Sequence, residues 1–197
     1  RVPAYIAGGY YGEGKGIDGL VTEMEENISL GAKAIKMKIG GVSIREDLDR
    51  VRVVRETIGD DVKLMVDANC AYSVREAISI AHKMEKYDLF WFEEPISVDD
   101  YRGHQRIAQS TTIPIATGEN EYTRYGFRDL IAHDAAAIYN ADAQILGGIT
   151  EFMQVAALVA SHDLHIAPHG DQEIHIHLVG AIPHGLIVEF YRETVDE

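Results

Sequence analysis

Apolar runs of about five residues alternate along the whole chain with longer stretches in which apolar positions return every three or four residues. The runs read as buried strands and the longer stretches as amphipathic helices. Strands are expected at residues 2–7, 34–39, 62–67, 89–93, 113–117, 137–142, 164–168 and 186–190. Ile17, Leu20, Val21, Met24 and Ile28 mark a first helix that Gly31 stops, and Ile44, Leu48, Val51, Val54 and Ile58 mark a second. Ser43 with Glu46, and Ser73 with Glu76, have the spacing of capping boxes at helix starts. Further helices are expected at 101–109, through Phe127, Leu130 and Ile131, after a cap at Thr150, and over 173–179. Eight strands separated by seven helices predict an α/β fold, a closed parallel (β/α)7β barrel without the final helix, as one domain over residues 1–197.

Composition changes this picture little, but charge narrows the partners. Apolar residues make up 46% of the 197 and charged residues 25%, an ordinary globular balance. The formal charge of −14 argues against nucleic acid and against anionic membrane surfaces. No apolar run is long enough to span a bilayer. A single cysteine, Cys70, gives no disulfide framework and fits a reducing, cytoplasmic compartment. The first residue is Arg1 and not Met, so a processed, trimmed or partial chain is expected.

The candidate chemistry sits at strand ends. Asp67 closes one apolar run, Glu93 the next, and Glu119 follows the third, at two equal intervals of 26 residues. Any one of these acids could simply cap a following helix. A parallel barrel delivers every strand's C-terminal end to one face, so three in equal phase would meet there. Three hard oxygen ligands would hold a divalent cation such as Mg2+. Lys36 and Lys38 flank Met37 on the second strand and point to the same side, into the barrel. Each ammonium lowers the other's pKa, toward a usable base, while neighbouring carboxylates pull the other way. Across the barrel, Asp142 and His169 end adjacent strands and can form an Asp–His dyad in which the acid orients the imidazole. Glu189 ends the eighth strand and reaches the same cavity, and Asn69 is a polar neighbour of Asp67. The set suits removal of a proton next to a carboxylate, with bases on opposite sides of a cation.

These residues carry a family resemblance. The motifs Lys36-Met37-Lys38, Val66-Asp67-Ala68-Asn69, Trp91-Phe92-Glu93-Glu94-Pro95, Gly118-Glu119-Asn120, Asp142 with Gly147-Gly148, His169 and Glu189 stand in order along essentially the whole chain. The sequence resembles the modified TIM barrel domain of the enolase superfamily, in the mandelate racemase branch of the mandelate racemase/muconate lactonizing enzymes. The resemblance implies Asp67, Glu93 and Glu119 as Mg2+ ligands, and Lys38, with Lys36 beside it, as the base on one face. It implies His169 as the base on the other face, paired with Asp142, and Glu189 and Asn69 among the groups that meet the substrate. The muconate lactonizing branch instead has a lysine at the end of the sixth strand, where this chain reads Asp142-Ala143-Gln144-Ile145.

What the resemblance implies is abstraction of the α-proton of a 2-hydroxycarboxylate or acid sugar through an enediolate, leading to dehydration or racemisation. The partners expected are a small carboxylate substrate and further copies of the chain in a homo-oligomer. Two departures from the pattern matter. The family's N-terminal α+β capping domain is not in these residues, so the barrel alone is expected to turn over weakly or not at all. Ala7-Gly8-Gly9 stands where the racemase has a substrate-contacting serine, which speaks against mandelate. The rival readings are a non-catalytic barrel fragment and a barrel metallohydrolase, which would need imidazole ligands where only His169 is placed. Glu173-Ile174-His175-Ile176-His177 looks like a zinc motif, but on a helix its two histidines diverge by about 200°. Tyr10-Tyr11 is expected to pack against whatever covers the barrel mouth.

Overall fold

The computed structural model describes residues 1–192. Its elements, in chain order, are β1 (Ala4–Gly8), α1 (Ile17–Ser29), β2 (Ala34–Lys38), α2 (Ile44–Ile58), β3 (Lys63–Asp67), α3 (Val74–Met84), β4 (Leu89–Glu93) and α4 (Tyr101–Ala108). They continue with β5 (Ile115–Thr117), α5 (Thr123–Ala132), β6 (Ile138–Tyr139), α6 (Ala143–Leu146), α7 (Ile149–Ala160), β7 (His165–Ile166), α8 (Gln172–Ala181) and β8 (Val188–Phe190). The eight strands form one parallel sheet in the order β7-β6-β5-β4-β3-β2-β1-β8. A parallel bridge between Ile166 and Gly185 joins its two ends, and the Leu186 N–H donates to the Ile166 carbonyl at 2.8 Å. The expected (β/α)7β barrel is therefore closed.

Strand parity divides the apolar residues into two shells. Side chains facing outward, such as Ile35, Met37, Leu64, Val66, Phe92 and Tyr139, pack under the helices. Those facing inward, Tyr5, Ala34, Met65, Trp91, Ala116, Ile138, Ala167 and Ile187, fill the barrel. Tyr5 and Trp91 meet edge to face at 5.3 Å between ring centroids. The helices are held at their starts as the spacing predicts. Ser43 and Ser73 each accept the N–H of the glutamate three residues on, and each glutamate accepts the serine's N–H in return. Such a cap is worth about 1 kcal/mol.

Thr150 does not cap a helix. Asp142 caps the four-residue α6, and α7 starts at Ile149 with Gly148 as its N-cap, so Thr150 lies within the first turn. Gly147 (φ 121°) and Gly148 (φ 101°) supply the backbone reversal between the two helices, a conformation that side chains disfavour. Among the described residues no helix is long and apolar enough to cross a membrane.

Candidate active site

The same parity that builds the barrel's apolar filling sets a charged layer directly above it. Ala34 is followed two residues on by Lys36, Met65 by Asp67, Trp91 by Glu93, and Ile187 by Glu189. All four charged groups are buried. Lys36 Nζ lies 2.6 Å from Glu93 Oε1, 2.8 Å from Glu189 Oε1 and 3.7 Å from Asp67 Oδ2. Glu119 comes from outside this alternation. Gly118 (φ 122°) turns the chain after β5, and a Cβ there would sit 2.9 Å from the Phe127 ring. That turn carries Glu119 to the others, and Asp67, Glu93 and Glu119 offer oxygens that all lie within 4.8 Å of one another.

Three carboxylates so close repel unless a cation stands between them. Burial pushes the Glu93 carboxyl well up, and Asp67, Glu189 and Glu119 add to the rise against the opposing pull of Lys36. For Asp67, burial acts in the same direction, but Lys36 and Lys38 outweigh it and hold the group below the usual carboxylate range. Burial also works against the charge on Lys36, and its carboxylate partners more than reverse this, so the ammonium stays charged. Asp67, Glu93, Glu119 and Glu189 thus face two lysines, a surplus of negative charge. Glu119 Oε2 is buried and has no hydrogen-bond partner. An all-oxygen, over-negative donor set with an unused buried oxygen fits Mg2+.

The two candidate bases stand at opposite ends of this group. Lys38, partly exposed, hydrogen-bonds Asp67 Oδ2 and donates to Asn69 Oδ1 at 2.7 Å. His169 places Nδ1 3.0 Å from Asp142 Oδ2 and Nε2 3.8 Å from Glu119 Oε2. Its pKa is lowered by burial but raised more by the Asp142 hydrogen bond and by Glu119 and Glu189, ending above the usual 6.5. Asp142, opposed by its own burial, is held low by His169 and by the Gln144 N–H. Glu189 Oε2 accepts the Gly170 N–H at 2.8 Å, and Lys36 keeps the carboxyl low despite burial. Lys36, Lys38, Asp67, Asn69, Glu93, Glu119, Asp142, His169 and Glu189 are therefore brought into one assembly.

Other residues of the assembly escaped the sequence reading. Trp91 Nε1 donates to Glu93 Oε2 at 2.7 Å. Glu94, with φ 38°, turns back from the strand end and accepts from Asn120 Nδ2 at 3.1 Å. Burial and the nearby Glu119 lift its pKa to about 7. Tyr11 hydrogen-bonds Asp47, with the Arg50 guanidinium 4.2 Å from its ring centroid. Tyr72 OH and the Gly40 N–H reach the same Asp47 at 3.2 and 2.8 Å, so three loops of the mouth are tied to one carboxylate. Tyr10 and Tyr11 are 41% and 36% exposed, and Tyr10 lies near Lys38. In the zinc-like stretch His175 is fully buried and His177 exposed, so they do not converge.

Residues 19–195 match the family described as enolase C-terminal domain-like. The chain is 38% identical to arabinonate dehydratase from Saccharolobus solfataricus, an alignment that covers 86% of this chain and 45% of the relative. It is 37% identical to a 3,6-anhydro-alpha-L-galactonate cycloisomerase from Streptomyces coelicolor, covering 86% of this chain and 47% of the relative. Among solved structures, L-talarate dehydratase from a Polaromonas species, complexed with Mg and L-glucarate, superposes with a TM-score of 0.91 at 35% identity. That likeness covers 96% of this chain and 53% of the other. A Streptomyces coelicolor racemase with bound magnesium gives the same score, with 96% of this chain and 56% of the other covered. The chain thus spans about half the length of the relatives it matches.

Proposed function

The chain belongs to the enolase C-terminal domain-like family, as a mandelate racemase/muconate lactonizing enzyme barrel, and on that premise we propose that it deprotonates an acid sugar or related 2-hydroxycarboxylate at the α-carbon. The product of that step is an enediolate, which leads on to dehydration or racemisation. One observation carries this reading: Lys38 bonds the Asp67 end of the carboxylate group and His169 faces the Glu119 end. Two proton-transfer groups therefore flank the place where a carboxylate would bind. Asp67, Glu93 and Glu119 would hold Mg2+, which when bound would supply Lewis-acid stabilisation of charge on the substrate carboxylate.

The remaining work falls to this chain's own side chains. Lys38 takes the α-proton on its face of the substrate. In a dehydration, protonated His169 gives its proton to the β-hydroxyl, which leaves as water, and the enol then ketonises. Asp142 favours that protonated form, which supports the acid role at neutral pH. In a racemisation, His169 returns a proton to the opposite face. Lys36 holds Glu93 and Glu189 against the rear of the site and offsets part of their charge.

Incubation with Mg2+ in heavy water, with L-glucarate and arabinonate as first members of an acid-sugar panel, tests the reading. The expected result is loss of the α-hydrogen signal with a 2-keto product, abolished by EDTA. A panel untouched by a longer polypeptide that carries a capping domain would refute it. A second reading, a barrel inactive alone, is favoured by the half-length coverage of its relatives and by Tyr10 at an open rim. Exclusion of water strengthens every electrostatic interaction in such a site. Equal kcat/KM for barrel and longer chain would dismiss that second reading. A metallohydrolase is disfavoured because the metal-holding group found among the described residues contains no imidazole.

A further inference from the structure

We propose that His175 is a positioning residue that fixes the Asp142–His169 pair, a role that rests on the reading of His169 as a proton-transfer group. The imidazole is fully buried on α8 and makes two hydrogen bonds, both to main chain. Nδ1 lies 2.7 Å from the Gly170 carbonyl oxygen, and Nε2 lies 3.0 Å from the Ala143 nitrogen. A carbonyl can only accept and an amide N–H can only donate, so the ring must be the neutral Nδ1–H tautomer. Gly170 directly follows His169, and Ala143 directly follows Asp142. One ring therefore ties together the two chain segments that carry the dyad.

The segment after Asp142 needs such a tie. α6 has four residues, too few to be stable through its own hydrogen bonds. Its C-terminal end runs straight into Gly147 and Gly148, both at positive φ, so the helix cannot be extended there. Asp142 Oδ1 accepts the Gln144 N–H at 2.8 Å, which orients the carboxylate relative to α6 but leaves α6 to be placed. On the other side, Gly170 (φ 66°) bends the chain so that its N–H meets Glu189 Oε2 while its carbonyl meets His175. The 3.0 Å contact between His169 and Asp142 thus depends on two loops that His175 holds in register. Phe152 of α7 packs beside the ring, with centroids 6.0 Å apart, and sets its plane.

The test uses long-range 15N imidazole spectra of the labelled, magnesium-loaded chain, with His175→Asn and His175→Gln. Asn keeps a donor near Gly170 and loses the acceptor for Ala143, whereas Gln can keep the acceptor and lose the donor. The wild type should show His175 as Nδ1–H at neutral pH. Both variants should lose the His169 Nδ1–H signal shifted by Asp142, with Mg2+ affinity retained. On the panel member that exchanges, His169-dependent exchange should fall on the order of a hundredfold while Lys38-dependent exchange persists. An Nε2–H or charged His175 would overturn the proposal, as would a lower Tm with an intact His169–Asp142 bond, or equal losses on both faces. If no acid sugar exchanges with this chain or with a longer polypeptide that carries a capping domain, the functional reading fails, and the tautomer and the His169 signal still decide this one. Where one variant is too unstable to record, the other variant and the wild-type tautomer decide between the same outcomes.

Discussion

The indole N–H of Trp91 points along β4 at Glu93 Oε2, 2.7 Å away, while Lys36 takes the other oxygen of the same carboxylate at 2.6 Å. Both oxygens of a candidate metal ligand are therefore oriented from inside the barrel before any cation arrives. Ligands fixed in this way lose less entropy on binding, and groups that orient them are commonly worth 10–100-fold in affinity.

Trp91→Phe should accordingly weaken Mg2+ binding by about tenfold, read by calorimetry, and should lower Tm as Glu93 Oε2 loses its donor. Glu93→Gln, which removes the charge itself, should weaken binding further. Unchanged affinity in Glu93→Gln would remove Glu93 from the ligand set.

Lys38 and His169 meet opposite ends of the carboxylate group, so each should exchange the α-proton of one configuration only. Deuterium incorporation into each enantiomer of a processed substrate can be followed by NMR in Lys38→Ala and His169→Asn. The two variants should lose exchange on different enantiomers. Loss on the same one contradicts the opposed arrangement.

In magnesium-free protein His169 should titrate above its usual 6.5, because the Asp142 hydrogen bond with Glu119 and Glu189 outweighs the downward push of burial. A raised value means that the charged ring stabilises the fold. That contribution is complete below about pH 6.5 and is lost as pH climbs through the folded value. Asp142→Asn removes the largest raising influence, so the NMR midpoint of His169 should fall. A midpoint that holds steady or rises would show that Asp142 does not set it.

Asp47 is fully buried and gathers Tyr11, Tyr72 and the Gly40 N–H from three mouth loops. Asp47→Ala strands these donors and should cost about 3 kcal/mol, or roughly 6–12 °C in Tm at about 2–4 °C per kcal/mol. The β1–α1 loop should also exchange its amides faster. Unaltered protection there would mean that the loop is held by something else.

The barrel was legible because inward and outward positions alternate so regularly on β2 and β3, and on β4 from Trp91 onward, that Lys36, Asp67 and Glu93 could be placed by counting. Glu119 is a different case. Its phase was right by interval, but the device that turns it inward is Gly118 against Phe127, a packing relation that no periodicity encodes. Thr150 misled because a threonine before an apolar run looks like a cap, whereas the preceding glycine pair had already started the helix. The Asp47 partner of Tyr11 was not legible, because an aromatic on a loop does not announce which distant carboxylate it will meet. His175 was noticed only in a zinc-like stretch that helical spacing already ruled out, and only the fold reveals that its partners are two main-chain groups, at Ala143 and Gly170.

Among the described residues, the inward apolar side chains beneath the charged layer, Tyr5, Met65, Trp91, Ala116 and Ala167 among them, pack into one buried cluster. The charged layer therefore rests on an apolar floor, and on the proposed function the rim where Tyr10 stands is the side from which a substrate would reach it.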